Sequence, residues 1–214
     1  MRQRHKPWAD DFIQEHKDIF ITNAADSKLD WTAVFGNSNP VHLEIGTGKG
    51  QFITGMARQY PHVNFVGIEL AKSIIVSAGQ KVIEAEQANV RLVLGDAAGI
   101  SRLFDKDEVA AIYLNFSDPW PKNRHEKRRL TYHAFLEQYE NILSGGGELV
   151  LKTDNSGLFA YSLVSFSQYG MTLKNVSLDL HAENDLTNVP TEYEQKFAAK
   201  GQPIYRCKAV FQGK

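Results

Sequence analysis

The residues best placed to do chemistry lie between Tyr113 and Leu130, in the run YLNFSDPWPKNRHEKRRL. An apolar stretch ends at an acid, Asp118, and two prolines then bracket Trp120, so a strand is stopped abruptly and its end is stiffened. Lys122, Arg124, Lys127, Arg128 and Arg129 follow, with His125 among them and Glu126 as the opposing charge. A carboxylate, an aromatic ring and a set of cations thus converge on one rigid end. Taken alone, the cations would read as a solvated helix face. The Asp-Pro-Trp-Pro turn makes them a candidate anionic-ligand surface, because prolines and a bulky ring on an exposed loop need a reason to be there.

Three further acids recur at comparable places: Glu44 before the glycine loop EIGTGKG (44–50), Glu69 after a second apolar run and Asp96 after a third. Any one of them could simply cap a strand; four in register with Asp118 argue for a ligand. Gly46 and Gly48 permit a tight turn and close approach of a ligand to backbone N–H groups at a helix start. A dinucleotide fingerprint would need glycine where Gln51 stands, and Glu44 would repel a pyrophosphate. A cationic cofactor suits these acids better. S-adenosylmethionine carries an ammonium and a sulfonium, a ribose diol that Glu69 can accept from, and an adenine amino group within reach of Asp96.

Periodicity supplies the elements that position these groups. Strands are predicted over Val41–Ile45, Asn64–Leu70, Val90–Leu94, Val109–Phe116 and Glu148–Thr153. Helices are predicted over Gln51–Gln59, Ala71–Ala88 and Ser156–Tyr169, and a further one presents Tyr132, Phe135, Leu136, Tyr139, Ile142 and Leu143 before a Gly145-Gly146-Gly147 stop. Met171–Leu180 and Ile204–Phe211 read as two last strands. Alternating strands and helices imply an α/β fold with a mainly parallel sheet of seven strands, helices on both faces and ligands at the carboxyl ends of the strands. Phe12, Ile13, Ile19 and Phe20 fit a short amphipathic helix in a cover over residues 9–40. The basic start (Arg2, Arg4, His5, Lys6) is either a frayed terminus or an arm that grips nucleic acid.

A chain of 214 residues with 43% hydrophobic content can bury one sizeable core, so a single domain over 1–214 is expected, with an arm and cover (1–40) and an α/β core (41–214). A net charge of −1 means that nucleic-acid binding must come from local clusters. A lone Cys207 and seven histidines without metal-binding spacing give no metal site. The absence of an apolar leader or a membrane-length apolar window makes a cytoplasmic location the expectation.

The motifs EIGTGKG (44–50), GIEL (67–70), GDA (95–97), SDPWPKNRHEKRRL (117–130), KTDN (152–155) and TEYE (191–194) together resemble bacterial tRNA (guanine-N7)-methyltransferases, which have the Rossmann-like class I fold and use S-adenosylmethionine. The resemblance runs from HKPWADDF near the start to the last strand. It implies cofactor binding by Glu44, Gly46, Gly48, Glu69, Asp96 and Asp118. Substrate contacts are implied from Lys122, Asp154, Thr191, Glu192, Tyr193 and Glu194, and RNA contacts from Arg124, His125, Glu126, Lys127, Arg128 and Arg129. The implied partner is tRNA, methylated at its variable-loop guanine(46) by a monomer or homodimer.

Elementary chemistry agrees. Guanine N7 has a lone pair and no proton, so attack on a sulfonium methyl requires no general base. Asp118 is therefore expected to position and to stabilise charge. Thr191–Glu194 reads as a polar loop able to close over a base, and Asp154 reads either as a pocket acceptor or as the N-cap of the next helix. Three other functions compete: methylation of another RNA or a small molecule, a nicotinamide-dependent oxidoreductase, and a non-catalytic RNA-binding module. The last of these would leave the four strand-end acids idle.

Overall fold

A computed structural model describes residues 6–22 and 28–214 and resolves the chain into two compact units, 1–105 and 106–214. The basic residues Arg2, Arg4 and His5 lie outside the described residues.

In the first unit the elements run α1 (Ala9–Glu15), β1 (Phe20–Ile21), α2 (Trp31–Phe35), β2 (Val41–Ile45), α3 (Gln51–Gln59), β3 (Asn64–Glu69), α4 (Lys72–Glu84) and β4 (Val90–Leu94), followed by a 3₁₀ segment, Ala97–Arg102. Its strands lie in the order β1-β4-β3-β2, and the β1–β4, β3–β4 and β2–β3 pairs are all parallel. Parallel strands covered by helices carry near-continuous apolar runs, and Leu43, Ile45, Phe65, Val66, Ile68, Leu92 and Val93 are all buried here. α3 begins at Gly50, at φ 83°, where an added Cβ would come within 2.7 Å of the Ala78 side chain. Glycine is therefore required for α3 and α4 to close together.

The amphipathic helix expected through Phe20 stops at Glu15. Ile19 and Phe20 turn back onto the His16 carbonyl, and β1 pairs with β4 beside Leu92 and Val93, a strand that is not among the seven expected. The Phe20 ring fills the space over Gly79, where a Cβ would sit 2.1 Å from it. Trp31, 1% exposed, anchors α2 by stacking on Phe104 at 4.9 Å and donating to the Leu103 carbonyl at 2.9 Å.

The second unit contains β5 (Val109–Asn115), a 3₁₀ turn at Asn123–Arg128, α5 (His133–Ile142), β6 (Leu143–Thr153), α6 (Ser156–Tyr169), β7 (Thr172–Ser177), α7 (Glu192–Ala198) and β8 (Tyr205–Val210). Strand order is β5-β6-β8-β7, with β5–β6 parallel and β8 antiparallel to both of its neighbours. Antiparallel closure explains why the last two strands need no parallel crossover.

The glycine triplet corrects the expected helix stop. β6 starts at Leu143, paired with Val109, and resumes register at Glu148 opposite Ala111, so residues 144–147 bulge within the strand. A Cβ on Gly147 would lie 3.0 Å from the Ala110 carbonyl, which is why the bulge is built of glycine.

Tyr139 of α5 is fully buried, and its hydroxyl has no partner among the described residues. A buried polar atom without a bond costs what its desolvation costs. Tyr139→Phe is expected to leave stability unchanged or raise it by about 1 kcal/mol, measured by denaturant unfolding. A loss of that size would show that the hydroxyl has a partner in solution.

Candidate active site

In the first unit the acids stand where ligands of parallel sheets bind, at the carboxyl ends of the strands. Glu44, 3% exposed, is the penultimate residue of β2, and its Oε2 accepts from Thr47 Oγ1 at 2.6 Å. Glu69, the last residue of β3, accepts from Gly48 N at 3.1 Å through one oxygen and from Ala71 N at 2.9 Å through the other. It therefore pins the glycine loop to the end of its neighbouring strand, a task that sequence reasoning did not foresee. Asp96 caps the 3₁₀ segment after β4 by accepting from Ala98 N at 2.9 Å and is otherwise exposed.

These residues fit a cationic, ribose-bearing cofactor. Gly46 and Gly48 have φ of 78° and 58°, and nothing stands closer than 4.0 Å where a Cβ would project, so the loop presents bare backbone to open space. Each carboxylate oxygen of Glu69 has a further lone pair with which to accept a hydroxyl.

In the second unit, Asp118 follows β5 and is exposed. The turn around it has two non-glycine residues at positive φ, Phe116 (51°) and Trp120 (40°). Such conformations persist only where surrounding contacts enforce them, and they cluster at functional sites. The 3₁₀ turn at Asn123–Arg128 sorts the basic stretch: Lys122, Arg124, Lys127 and Arg128 are exposed, whereas His125, Glu126 and Arg129 are half-buried. Trp120 is half-buried too, with the Arg128 guanidinium 4.8 Å from its ring and His125 edge-on at 5.7 Å.

After β6, the cap of α6 is Asn155, whose Oδ1 accepts from Leu158 N at 2.8 Å. Asp154 is therefore not the cap. It remains half-exposed, and its Oδ2 faces the Tyr193 hydroxyl at 3.3 Å. Burial and the Asp154 charge both hold the Tyr193 phenol above its ordinary pKa.

The polar loop expected at Thr191–Glu194 is instead the first turn of α7, with Thr191 as N-cap and a reciprocal capping box to Glu194. The correction extends to Glu194 itself. Its side chain is 0% exposed, accepting from Lys152 Nζ at 2.7 Å and Asn188 Nδ2 at 2.7 Å, and lying 3.1 Å from His181 Nε2. A carboxylate so enclosed holds the helix in place and is not available to a base. Glu192 and Tyr193 remain outside that core, and Tyr193 stacks on Phe197 at 4.2 Å and leans on Phe116 at 5.0 Å. The segment leading into α7 has a second anchor in Arg206, paired with Asp185 at 2.5 Å and with Glu183 at 3.7 Å. Hydrogen bonds from the Thr187 hydroxyl and from Arg206 hold the Asp185 carboxyl well below the usual range.

Lys152, His181, Asn188 and Arg206 were not singled out from sequence. The readable signal was the cation at the end of the apolar run Leu149–Thr153 together with the T-x-x-E of a capping box.

Solved structures share this architecture. The chain is similar to an antibiotic-related methyltransferase (TM-score 0.63, 16% identity, covering 85% of this chain and 92% of that one) and to the 16S rRNA methyltransferase KamB (TM-score 0.62, 15% identity, 87% and 95%). The fold is that of the class I methyltransferases. A family model described as a putative methyltransferase matches residues 38–207. The chain is 62% identical over 212 residues to the tRNA (guanine-N(7)-)-methyltransferase of Oceanobacillus iheyensis, covering 99% of this chain and 100% of that one. It is 60% identical over 208 residues to that of Bacillus subtilis, covering 97% and 98%. The chain belongs to the tRNA (guanine-N7)-methyltransferase family.

Proposed function

We propose that this chain transfers the methyl group of S-adenosylmethionine to N7 of the variable-loop guanosine of tRNA, acting as one catalytic domain in the cytoplasm, as a monomer or homodimer. The continuous family match over residues 38–207 supports a single domain. The observation that carries the substrate is the sorted basic turn, in which Lys122, Arg124, Lys127 and Arg128 face solvent beside Asp118, in a turn with positive φ at Phe116 and at the proline-bracketed Trp120. Cations that face outward in a protein of net charge −1 form a local footprint for a phosphate backbone.

When bound, the cofactor supplies an electrophilic methyl on a sulfonium. Glu44, Glu69 and Asp96 are assigned its ammonium, its ribose hydroxyls and its adenine edge, as acceptors matched to donors. Asp118, Lys122, Asp154, Thr191, Glu192 and Tyr193 are assigned to the guanine side. N7 attacks unaided, so Asp118 acts by position and by its charge, which favours the purine as it becomes cationic. Orientation of the reacting atoms can supply roughly 7–11 kcal/mol of the barrier, and the stiff turn around Asp118 is suited to it.

The test is incubation with unmodified tRNA and S-adenosylmethionine, followed by reduction and aniline cleavage, which cuts at N7-methylguanosine. One cut in the variable loop is expected; a cut elsewhere, or none, overturns the substrate. Asp118→Ala and Asp154→Ala are each expected to reduce turnover by about tenfold or more at saturating cofactor, with little change in melting temperature. Wild-type rates in both variants would remove these residues from the base site.

A further inference from the structure

The six-residue basic stretch does not act as a unit, and its last member differs from the rest. Arg129 is half-buried while Arg124, Lys127 and Arg128 are exposed. Its Nε and Nη2 both donate to the Trp120 carbonyl, at 3.3 and 3.0 Å, and its guanidinium lies 4.1 Å from the ring of Tyr161 on α6. The Tyr161 hydroxyl in turn bonds Glu126, the acid of the stretch; burial first, and this bond second, raise its pKa to about 12. The carbonyl that Arg129 grips belongs to a tryptophan held at a φ of 40°, which a bulky side chain adopts only under constraint.

We infer that Arg129 is a positioning residue, clamped on Tyr161, that fixes the Asp118–Trp120 turn, and that it is not one of the RNA-phosphate contacts. The fork is what the task requires. Two N–H groups fix the direction of one carbonyl, while the guanidinium carbon lies 4.1 Å from the centre of the Tyr161 ring. Lysine could replace a phosphate contact, as a point charge, but it cannot reproduce the fork on the carbonyl together with the contact to the ring. Holding the Trp120 carbonyl holds Asp118 two residues earlier, across Pro119, whose own φ is fixed. Tyr161 thereby joins the machinery although it lies outside every motif of the sequence, and Glu126 is drawn back from the cationic surface by the same ring.

This inference rests on the proposed methyl transfer for its kinetic arm and on the free protein for its other arm. Single-turnover methylation and tRNA binding across a salt series would be measured for Arg129→Lys, Tyr161→Leu and Tyr161→Phe. Arg129→Lys and Tyr161→Leu are expected to slow transfer by about tenfold or more. Their tRNA affinity should stay within about threefold of wild type with the salt slope unchanged, since every phosphate contact is retained. Tyr161→Phe keeps the ring beside the guanidinium but loses the hydroxyl's bonds to Glu126 and Arg129, so its rate should fall between those of wild type and Tyr161→Leu. The double variant should be no slower than either single, as expected of residues acting as one unit.

In the other arm, trypsin cleavage after Lys122, Arg124, Lys127 and Arg128 is followed by mass spectrometry without RNA or cofactor. It should accelerate in Arg129→Lys and Tyr161→Leu, with cleavage elsewhere unchanged. A wild-type transfer rate and wild-type nicking in Arg129→Lys would overturn the clamp. So would Arg129→Gln lowering the salt slope by about 0.9 at an unchanged rate, the signature of a phosphate contact. If the wild-type protein leaves tRNA unmethylated, the functional reading fails, and the nicking rates still decide the clamp.

Discussion

Lys152→Met is expected to lower the melting temperature by on the order of 10 °C, the largest loss of stability from any single substitution considered for this chain. Lys152 and Glu194 form an ion pair 2.7 Å apart with side chains 3% and 0% exposed. Replacing a buried pair with apolar residues is often neutral, but removing one partner strands the other charge, at a cost of about 3–5 kcal/mol. After Lys152→Met, Glu194 would keep Asn188, His181 and its cap on Thr191. None of these is a permanent cation. Thermal unfolding would measure the effect, and a second variant separates the causes: Lys152→Met with Glu194→Gln should recover most of the loss, because no charge is left buried. Recovered stability with turnover still depressed would show that the pair also sets the position of α7 over Asp154. An unchanged melting temperature in the single variant would mean that the pair is hydrated in solution, and the rigid placement of α7 would fall with it.

How far the sequence anticipates this arrangement follows from the range over which each signal acts. β2, α3, β4 and α6 have the predicted bounds residue for residue. Each is an apolar run or a helical stripe punctuated by local stops: Gly50 before α3, Pro61 after it, Asn155 before α6 and Gly170 after it. The parallel class followed from alternation alone. Elements that depend on distant partners were not visible: β1 exists because Phe20 finds Gly79 and the edge of β4, and α2 because Trp31 stacks on Phe104. For α7 the local signal was present, since Thr191 and Glu194 spell a capping box, but the same four residues also form a recognition motif and were read only as that. Lys152 is a cation in an apolar strand, but nothing local to it names its partner 42 positions away. The same limit applies to the basic stretch. Spacing gave five cations on one segment, whereas the division into exposed cations and a half-buried clamp needed Tyr161, contributed by another helix.

Glu69→Ala is expected to weaken S-adenosylmethionine binding by roughly 10- to 100-fold, the equivalent of about 1.5–3 kcal/mol for a lost charge-assisted acceptor. Two losses combine. The ribose hydroxyls assigned to this carboxylate would lose their acceptor, and the N–H groups of Gly48 and Ala71, now held at 3.1 and 2.9 Å, would be released. Gly48 sits at φ 58° in a loop whose cofactor-facing side is bare backbone, so the released loop would also lose the shape that the cofactor meets. Glu69→Gln distinguishes the two contributions. Its one carbonyl oxygen can keep one of the two loop N–H groups and one ribose hydroxyl, without the charge, so its loss should fall between wild type and Glu69→Ala. Calorimetric titration with S-adenosylmethionine would give these affinities, and circular dichroism should show the fold retained, since the residue ends a strand whose core, Phe65 to Ile68, is buried independently of it. Arg128→Ala, on the exposed cationic turn, should bind the cofactor as wild type does. Unchanged cofactor affinity in Glu69→Ala would remove this carboxylate from the binding site and leave it only the structural task of tying the glycine loop to β3.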